Sequence, residues 1–310
     1  MKILITGGAG FIASHVADAY VQAGHQVTIA DNLSTGKLEY INPAATFVKL
    51  DITDQVAIQE LILRERFEVI NHHAAHILVG HSVVDPQFDA QTNIMGLLNI
   101  MEAAKQIPIK KIILAATGGA MYGNRATPFV ETMPALPESP YGVSKRADEL
   151  YLNYYFKQYQ IPYVSLRYSN VYGPRQNPHG ESGVIAIFSE ALAKGQQPII
   201  HGDGTNTRDY VYVSDVAAAN LLALTTQFVG ELNIGTQTEI STNEVYDLVA
   251  QALRVNFPKQ YDAPRPGDVM ASSLDFTKAK EILGWQPQID FATGVKQVAE
   301  WYQTFNVVQG

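Results

Sequence analysis

The chain reads as an α/β protein: a Rossmann-type doubly wound parallel sheet with a smaller mixed α/β substrate domain towards the C-terminus. Three observations predict this. Short apolar runs alternate with helical stretches through the first half. Several of those runs end at a glycine or an aspartate. Gly7, Gly10 and Ala13 are spaced three and three between the first run and the first helix. Strands separated by helices imply a parallel sheet covered on both faces, and such sheets bind ligands beyond the carboxyl ends of their strands.

Residues 3–6 form the first strand, stopped by Gly7-Gly8. Residues 11–23 follow as a helix closed by Gly24, a residue suited to a left-handed cap. Strands are expected at 27–30, ended by Asp31, and at 46–50, ended by Asp51. Further strands fall at 69–74 and 112–116, with a helix over 88–105 between them. A Tyr-rich helix over 145–159 precedes a strand at 163–167. From Tyr172 to Gly183 glycine, proline and asparagine remove any periodicity, which marks a boundary. Residues 211–224, with Asp215 as N-cap, and 231–234 return to the sheet domain. Helices over 242–253 and 276–283 lie among Pro-rich loops. The expected division is 1–170 with about 211–236 for the cofactor, and 171–210 with about 237–310 for the substrate.

The composition removes several classes of function. There is no cysteine, so neither a disulfide framework nor a thiolate metal site can form. A net charge of −8 with scattered Lys and Arg disfavours nucleic-acid binding, which needs clustered cations. No apolar run approaches the ~18 residues of a membrane span. Glycines break the apolar N-terminus well short of the ~7–15 residues of a signal core. A cytoplasmic enzyme is expected. His72, His73 and His76 form a tempting cluster, but adjacent strand residues point to opposite faces, and no metal is expected.

The glycine turn has a physical use. Gly7 and Gly10 let the backbone turn tightly, so a pyrophosphate can approach the free N–H groups at a helix start. Ala13 stands where helix and strand need a small side chain. Asp31 ends the second strand, where a carboxylate can accept both ribose hydroxyls and would repel a 2′-phosphate. No Arg follows in Asn32-Leu33-Ser34-Thr35-Gly36, so NAD is expected rather than NADP. Asp51-Ile52 either flanks the adenine or begins the next helix with Asp51 as N-cap.

Tyr141 and Lys145 follow Ser139-Pro140, a helix cap and first-turn pair. Four residues apart, they share a helix face. A free phenol, with a pKa of about 10, is a poor base near neutrality. A neighbouring ammonium and a cationic nicotinamide both favour the phenolate. Tyr-x-x-x-Lys alone also occurs by chance on amphipathic helices, and its place downstream of the glycine turn is what singles it out. Thr117 follows the strand at 112–116, where its hydroxyl either bonds a reacting oxygen or faces solvent in a turn.

Nearly end to end, the motifs GGAGFIAS, DNLSTG, HAAH with HSVVDP, TGGAMYG, YGVSK, RYSNVYGPRQ, HGDGTNTRDYVYVSDVA and APRPGDV are similar to one family. The chain resembles the extended short-chain dehydrogenase/reductases, most closely the UDP-glucose 4-epimerase group. The resemblance implies that Tyr141 takes the proton from a sugar 4-hydroxyl while hydride leaves C4 for a permanently held NAD. The 4-keto sugar then swings on its pyrophosphate tether and is reduced on its other face.

The same resemblance implies cofactor contacts from Gly7, Gly10, Phe11, Ile12, Asp31, Asn32, Ser34, Asp51, Ile52, Ala74, Ala75, His76, Asn93, Tyr141, Lys145 and Tyr168. On the UDP-sugar it implies Thr117, Tyr141, Asn170 at the pyrophosphate and Val184 by the uracil. Arg208 and Arg265 would clamp the charge, and Asp268 would hold the uridine ribose; Arg suits phosphate because its fork bonds two oxygens. Ser272 falls at the gate position, where a small residue admits a 2-acetamido group. A homodimer through 88–105 and 145–159 is implied as well.

The chain departs from the family pattern at three places. Ala13 replaces a third glycine, Gly118 stands where relatives carry Ser or Thr, and His76 replaces Gln or Lys. With Gly118 there, Thr117 must supply the hydroxyl from one residue earlier. Dehydrating relatives carry a carboxylate after the Thr, whereas here Gly118, Gly119 and Ala120 follow. The alternatives are another NAD-dependent UDP-sugar enzyme, such as a UDP-glucuronate 4-epimerase or decarboxylase, or a non-catalytic NAD sensor.

Overall fold

The computed structural model describes residues 1–179, 183–264 and 269–309. The chain begins with β1 (Lys2–Thr6), α1 (Phe11–Gln22), β2 (Gln26–Asp31), β3 (Thr46–Lys49), α2 (Gln55–Glu65) and β4 (Val69–His72). Short helices α3 (Val79–Val84) and α4 (Pro86–Ala90) run into a π turn (Gln91–Met95) and α5 (Gly96–Ala104). Then come β5 (Lys111–Thr117), α6 (Pro140–Tyr159) and β6 (Tyr163–Tyr168).

The second half holds β7 (Asn170–Tyr172), α7 (Val184–Ala193), β8 (Ile199–His201), β9 (Thr207–Tyr212), α8 (Val213–Ala223) and β10 (Gly230–Ile234). It closes with β11 (Glu239–Ser241), α9 (Thr242–Leu253), β12 (Gln260–Asp262), α10 (Thr277–Leu283) and α11 (Phe291–Gln309).

Seven strands form one sheet in the order β10-β6-β5-β4-β1-β2-β3, every pair parallel. The chain reverses direction across the sheet between β1 and β4, which opens a crevice beyond their carboxyl ends. The apolar runs lack alternation because both faces are covered. Ile3 and Ile5 join the cluster that includes Val16, Tyr20 and Val216. Leu4, between them, joins the opposite one with Ile58, Leu97 and Leu152. A third cluster, from α7, α9 and α11 with Tyr172, Tyr210 and Tyr212, underlies a smaller lobe. That lobe carries the β11-β9-β7 and β12-β8 sheets. α10 and Trp285 pack with the first cluster, against the main sheet.

Two capping expectations change. Asp215 lies in the first turn of α8 and is not its N-cap, which is Tyr212. The Asp215 carboxylate instead accepts from the Gln288 and Ile289 amides, both at 3.1 Å, because it is turned towards the C-terminal segment. Asp51 does not cap α2; Asp54 does, accepting from the Ala57 amide at 3.0 Å. Asp51 forms a turn of its own, holding the Thr53 amide and hydroxyl.

Candidate active site

The glycine turn bridges the tips of β1 and β4. Gly7 has φ +71°, and a Cβ there would stand 2.6 Å from the Ala74 nitrogen. Only glycine lets the two strand ends approach this closely. Gly10 is the N-cap of α1, with no side chain capping the helix and no acidic residue in its first turn. The orphan N–H groups of this helix start therefore meet no acid within their own turn, which suits a pyrophosphate. Phe11 is buried and Ile12 packs against the core, so these two residues offer backbone amides. Ala13 is buried in the same cluster.

Asp31 lies buried at the end of β2. Its two oxygens accept from the Ala9 amide at 3.0 Å and the Leu33 amide at 2.7 Å. This fastens the glycine turn to the strand whose end would meet a ribose. Asn32 donates to Asp51 at 2.8 Å and accepts from the Ser34 amide at 2.9 Å, so an exposed polar edge joins β2 to β3. Ile52 is buried beside it. These residues fit the adenosine half of NAD.

Beyond β4, Ala74 and Ala75 lead to His76. The buried Asn93 side chain, in the π turn, clasps His76 at both ends: it accepts from the His76 amide at 2.8 Å and donates to its carbonyl at 3.0 Å. A π turn in a helix is frequently a functional feature, and here it aims this amide inward. Tyr168 is buried, and its hydroxyl accepts from Asn220 at 2.8 Å and lies 3.3 Å from His73 Nε2. Burial pushes the Tyr168 phenol well up, so it stays neutral. His73 and Tyr168 stack and brace the loop after β4 from within.

α6 starts as the sequence predicts. Ser139 accepts from the Gly142 amide at 3.2 Å and Pro140 occupies the first turn. The Tyr141 amide donates to Ser82 at 3.2 Å, tying the start of α6 to α3. Tyr141 is half-buried, and Lys145, one turn on, is buried. Thr117 ends β5, in register with Tyr168, and its hydroxyl accepts from the Ala120 amide at 3.2 Å. A Cβ on Gly142 would stand 2.4 Å from the Ala120 carbonyl, so the start of α6 abuts the turn that follows Thr117. A Cβ on Gly119 would lie 3.9 Å from Thr117 Oγ1 and 3.8 Å from Asn170 Oδ1. Thr117 and Asn170 thus both border the space above Gly119, and among the described residues no carboxylate lies within 4 Å of a Cβ placed there.

On the smaller lobe, Arg208 lies on β9 and donates to the Thr207 carbonyl at 2.7 Å. The 270–272 segment runs alongside it: the Thr207 amide donates to Met270 and the Asp209 amide to Ser272, each at 2.8 Å. Ser272, buried, and Arg208 are thereby brought together. Val184 begins α7 and is half-buried. Arg265 and Asp268 lie outside the described residues. A cleft of about 570 Å³ in this lobe is lined by His201, Gly202, Asp203, Asn206, Tyr261, Asp262, Pro264 and Met270.

That cleft lining had no assigned role in the sequence, although Gly202 and Gly204, between two short strands, mark a tight turn. Asp89 was missed too. Buried in α4, it accepts from His76 Nδ1 at 3.1 Å, Asn93 at 3.1 Å and Ser144 at 2.6 Å. Its signal was an acid placed within an otherwise helical stretch. His72 Nδ1 lies 2.7 Å from the Thr6 hydroxyl, while His73 faces Tyr168. Burial, then the charge of Lys145, lowers both imidazoles, His73 to about 3. Among the described residues no group of three metal-ligating side chains forms, and no helix is long and apolar enough to cross a membrane.

Comparison with known proteins gives a consistent picture. Residues 3–235 match the family described as the NAD dependent epimerase/dehydratase family. The UDP-glucose 4-epimerase of Mycolicibacterium smegmatis is 43% identical over 310 residues, covering 98% of this chain and 99% of that protein. The crystal structure of a UDP-glucose 4-epimerase with UDP-glucose from Thermotoga maritima superposes with a TM-score of 0.96. It is 43% identical, covering 99% of this chain and 100% of that one. The Thermus thermophilus UDP-glucose 4-epimerase in complex with NAD gives 0.93 at 40% identity, covering 98% and 99%.

Proposed function

The chain belongs to the NAD dependent epimerase/dehydratase family, and we propose that within it the protein works as an NAD-dependent UDP-glucose 4-epimerase. The observation that carries this assignment is the floor beside Thr117. Gly118, Gly119 and Ala120 supply no acid or base directly after Thr117. Elimination of water from the sugar would need one there. Oxidation and re-reduction at C4 need only a base, a hydroxyl and a hydride acceptor.

NAD, when bound, accepts the C4 hydride and returns it. The rest belongs to this chain. Gly7, Gly10 and the amides of Phe11 and Ile12 hold the pyrophosphate at the start of α1. Asp31 takes the adenosine ribose, with Asn32, Ser34, Asp51 and Ile52 around the adenine side. Ala74, Ala75, His76, Asn93 and Tyr168 shape the nicotinamide end. Tyr141 removes the proton from the 4-hydroxyl, helped by the Lys145 ammonium, and Thr117 steadies the reacting oxygen. Asn170, Val184, Arg208, Arg265 and Asp268 grip the UDP, leaving the hexose free to present either face.

Residues 1–170 with about 211–236 form the NAD-binding domain, and 171–210 with about 237–310 the nucleotide-sugar domain. The small Ser272 beside Arg208 supports acceptance of UDP-N-acetylhexosamines. Val143, Leu150 and Tyr154 on α6, with Phe88 and Met95 beside them, form an exposed apolar face that supports a homodimer. A cysteine-free chain supports a cytoplasmic location. The assay is interconversion of UDP-glucose and UDP-galactose by the purified protein with no added oxidant. Binding of NAD without conversion of either sugar would overturn the epimerase assignment in favour of a sensor.

A further inference from the structure

Behind Tyr141 the interior of α6 holds an unusual pair. Lys145 Nζ lies 3.5 Å from Asp148 Oδ2, and the two side chains are 2% and 0% exposed. Asp148 Oδ1 is buried with no hydrogen-bond partner. Two other carboxylates surround it, Asp89 from α4 and Glu149 from the next position, and both repel it. Each of those is well supplied. Asp89 holds His76, Asn93 and Ser144. Glu149 holds Ser165, Arg167 and Arg146.

Asp148 has Lys145 alone among the described residues. At the end of β4, His72 and the following His73 also feel the Lys145 charge, and burial keeps both neutral. A buried carboxylate with one poor contact contributes little stability of its own, because desolvation offsets the attraction. Its effect falls on its partner.

We propose that Asp148 is a positioning residue: it anchors the Lys145 ammonium and offsets part of its charge, and so sets from behind how readily Tyr141 gives up its proton. This rests on Tyr141 being the base of the epimerase. Burial pushes the Asp148 carboxyl up to about 7 against the pull of Lys145. Below that pH the full ammonium charge acts on Tyr141; above it, a reduced one does.

The test compares the Asp148→Asn and Asp148→Glu holoenzymes with the parent. One readout is kcat/KM against pH; the other is the titration of Tyr141, labelled with carbon-13 at its phenol carbon and assigned with Tyr141→Phe. Above about pH 7, where Asp148 is ionised in the parent, removing its charge favours phenolate, so Asp148→Asn should move the acid limb and the Tyr141 midpoint down, by at most about one pH unit. Asp148→Glu should return both to the parent values. A folded, NAD-loaded Asp148→Asn with both midpoints unmoved, or moved up, overturns the proposal. Should the amide variant not fold, Asp148→Ser serves with the same outcomes. If the parent enzyme converts no UDP-sugar, the epimerase assignment fails, and the Tyr141 titration still decides the role of Asp148.

Discussion

Gly118 and Leu274 occupy space that neither could share with a larger neighbour. A Cβ on Gly118 would stand 2.4 Å from Leu274 Cδ1 and 2.6 Å from Cδ2. Leu274 is fully buried with Tyr122 and Phe129, so it has little room to retreat. This contact gives a physical reason for the missing hydroxyl at position 118 and leaves Thr117 as the available donor. Gly118→Ser should therefore destabilise the fold by about 1–3 kcal/mol through overpacking. Adding Leu274→Ala should recover part of that loss. Urea denaturation midpoints of the single and double variants check both statements.

The hydroxyl of Thr117 should matter more than its methyl. Thr117→Ala should lower kcat about 10²-fold, the usual effect of losing one donor to a reacting oxygen. Thr117→Ser should stay within a few-fold of the parent enzyme, roughly the effect of one misplaced rotamer. Tyr141→Phe should be the more severe change, about 10²–10⁴-fold, as for loss of a general base. NAD content, read from absorbance of the denatured supernatant, should be unchanged in the Thr117 variants. Equal activity of Thr117→Ala and parent would remove Thr117 from the reacting centre.

Ser272 is held against β9 by its carbonyl, which accepts from the Asp209 amide. Its backbone place is independent of its side chain, so a larger residue changes the volume and leaves the register alone. Ser272→Tyr should abolish turnover of UDP-N-acetylglucosamine while sparing UDP-glucose. Steady-state rates on both sugars measure it, and equal loss on both contradicts a gate at this position.

His73 ties the fold to pH. Its imidazole is lowered to about 3 from 6.5, first by burial and then by Lys145. A depressed pKa contributes stability that is present above 6.5 and lost as pH falls towards 3. Between pH 6.5 and 5 the loss is about 2 kcal/mol. Asp148, raised to about 7 by burial, acts in the opposite sense, since its folded form takes up a proton first as pH falls. His72 is lowered by the same burial, so His73→Gln should remove one part of the downward component, and its urea midpoint should fall less between pH 7.5 and pH 5 than the parent's. An identical fall in both proteins would contradict this account.

Local signals carried the sheet and the reacting helix. Ser139 and Pro140 announce the start of α6 because capping acts between residues adjacent in the chain. Ile3-Leu4-Ile5 announces a strand buried on both faces because neither side can tolerate a polar residue. The cap expected at Asp215, and the capping alternative left open for Asp51, fail for a related reason. Asp51 and Asp215 are the right residue type in nearly the right place, but their partners are Thr53 and the distant Gln288 and Ile289. A carboxylate's choice among several donors is made by packing.

The sequence alone determined the fold class, the glycine turn with Asp31 at the end of the next strand and the Tyr141–Lys145 spacing, because each depends on spacing along one strand, turn or helix face. Only the tertiary structure decided that Leu274 bars a side chain at Gly118, that Asp89 gathers His76, Asn93 and Ser144, and that, among the described residues, Asp148 is left with Lys145 alone. Those contacts join residues that lie far apart in the chain or that compete for the same buried space. Excluded volume and desolvation act on such residues only once the chain has folded them together.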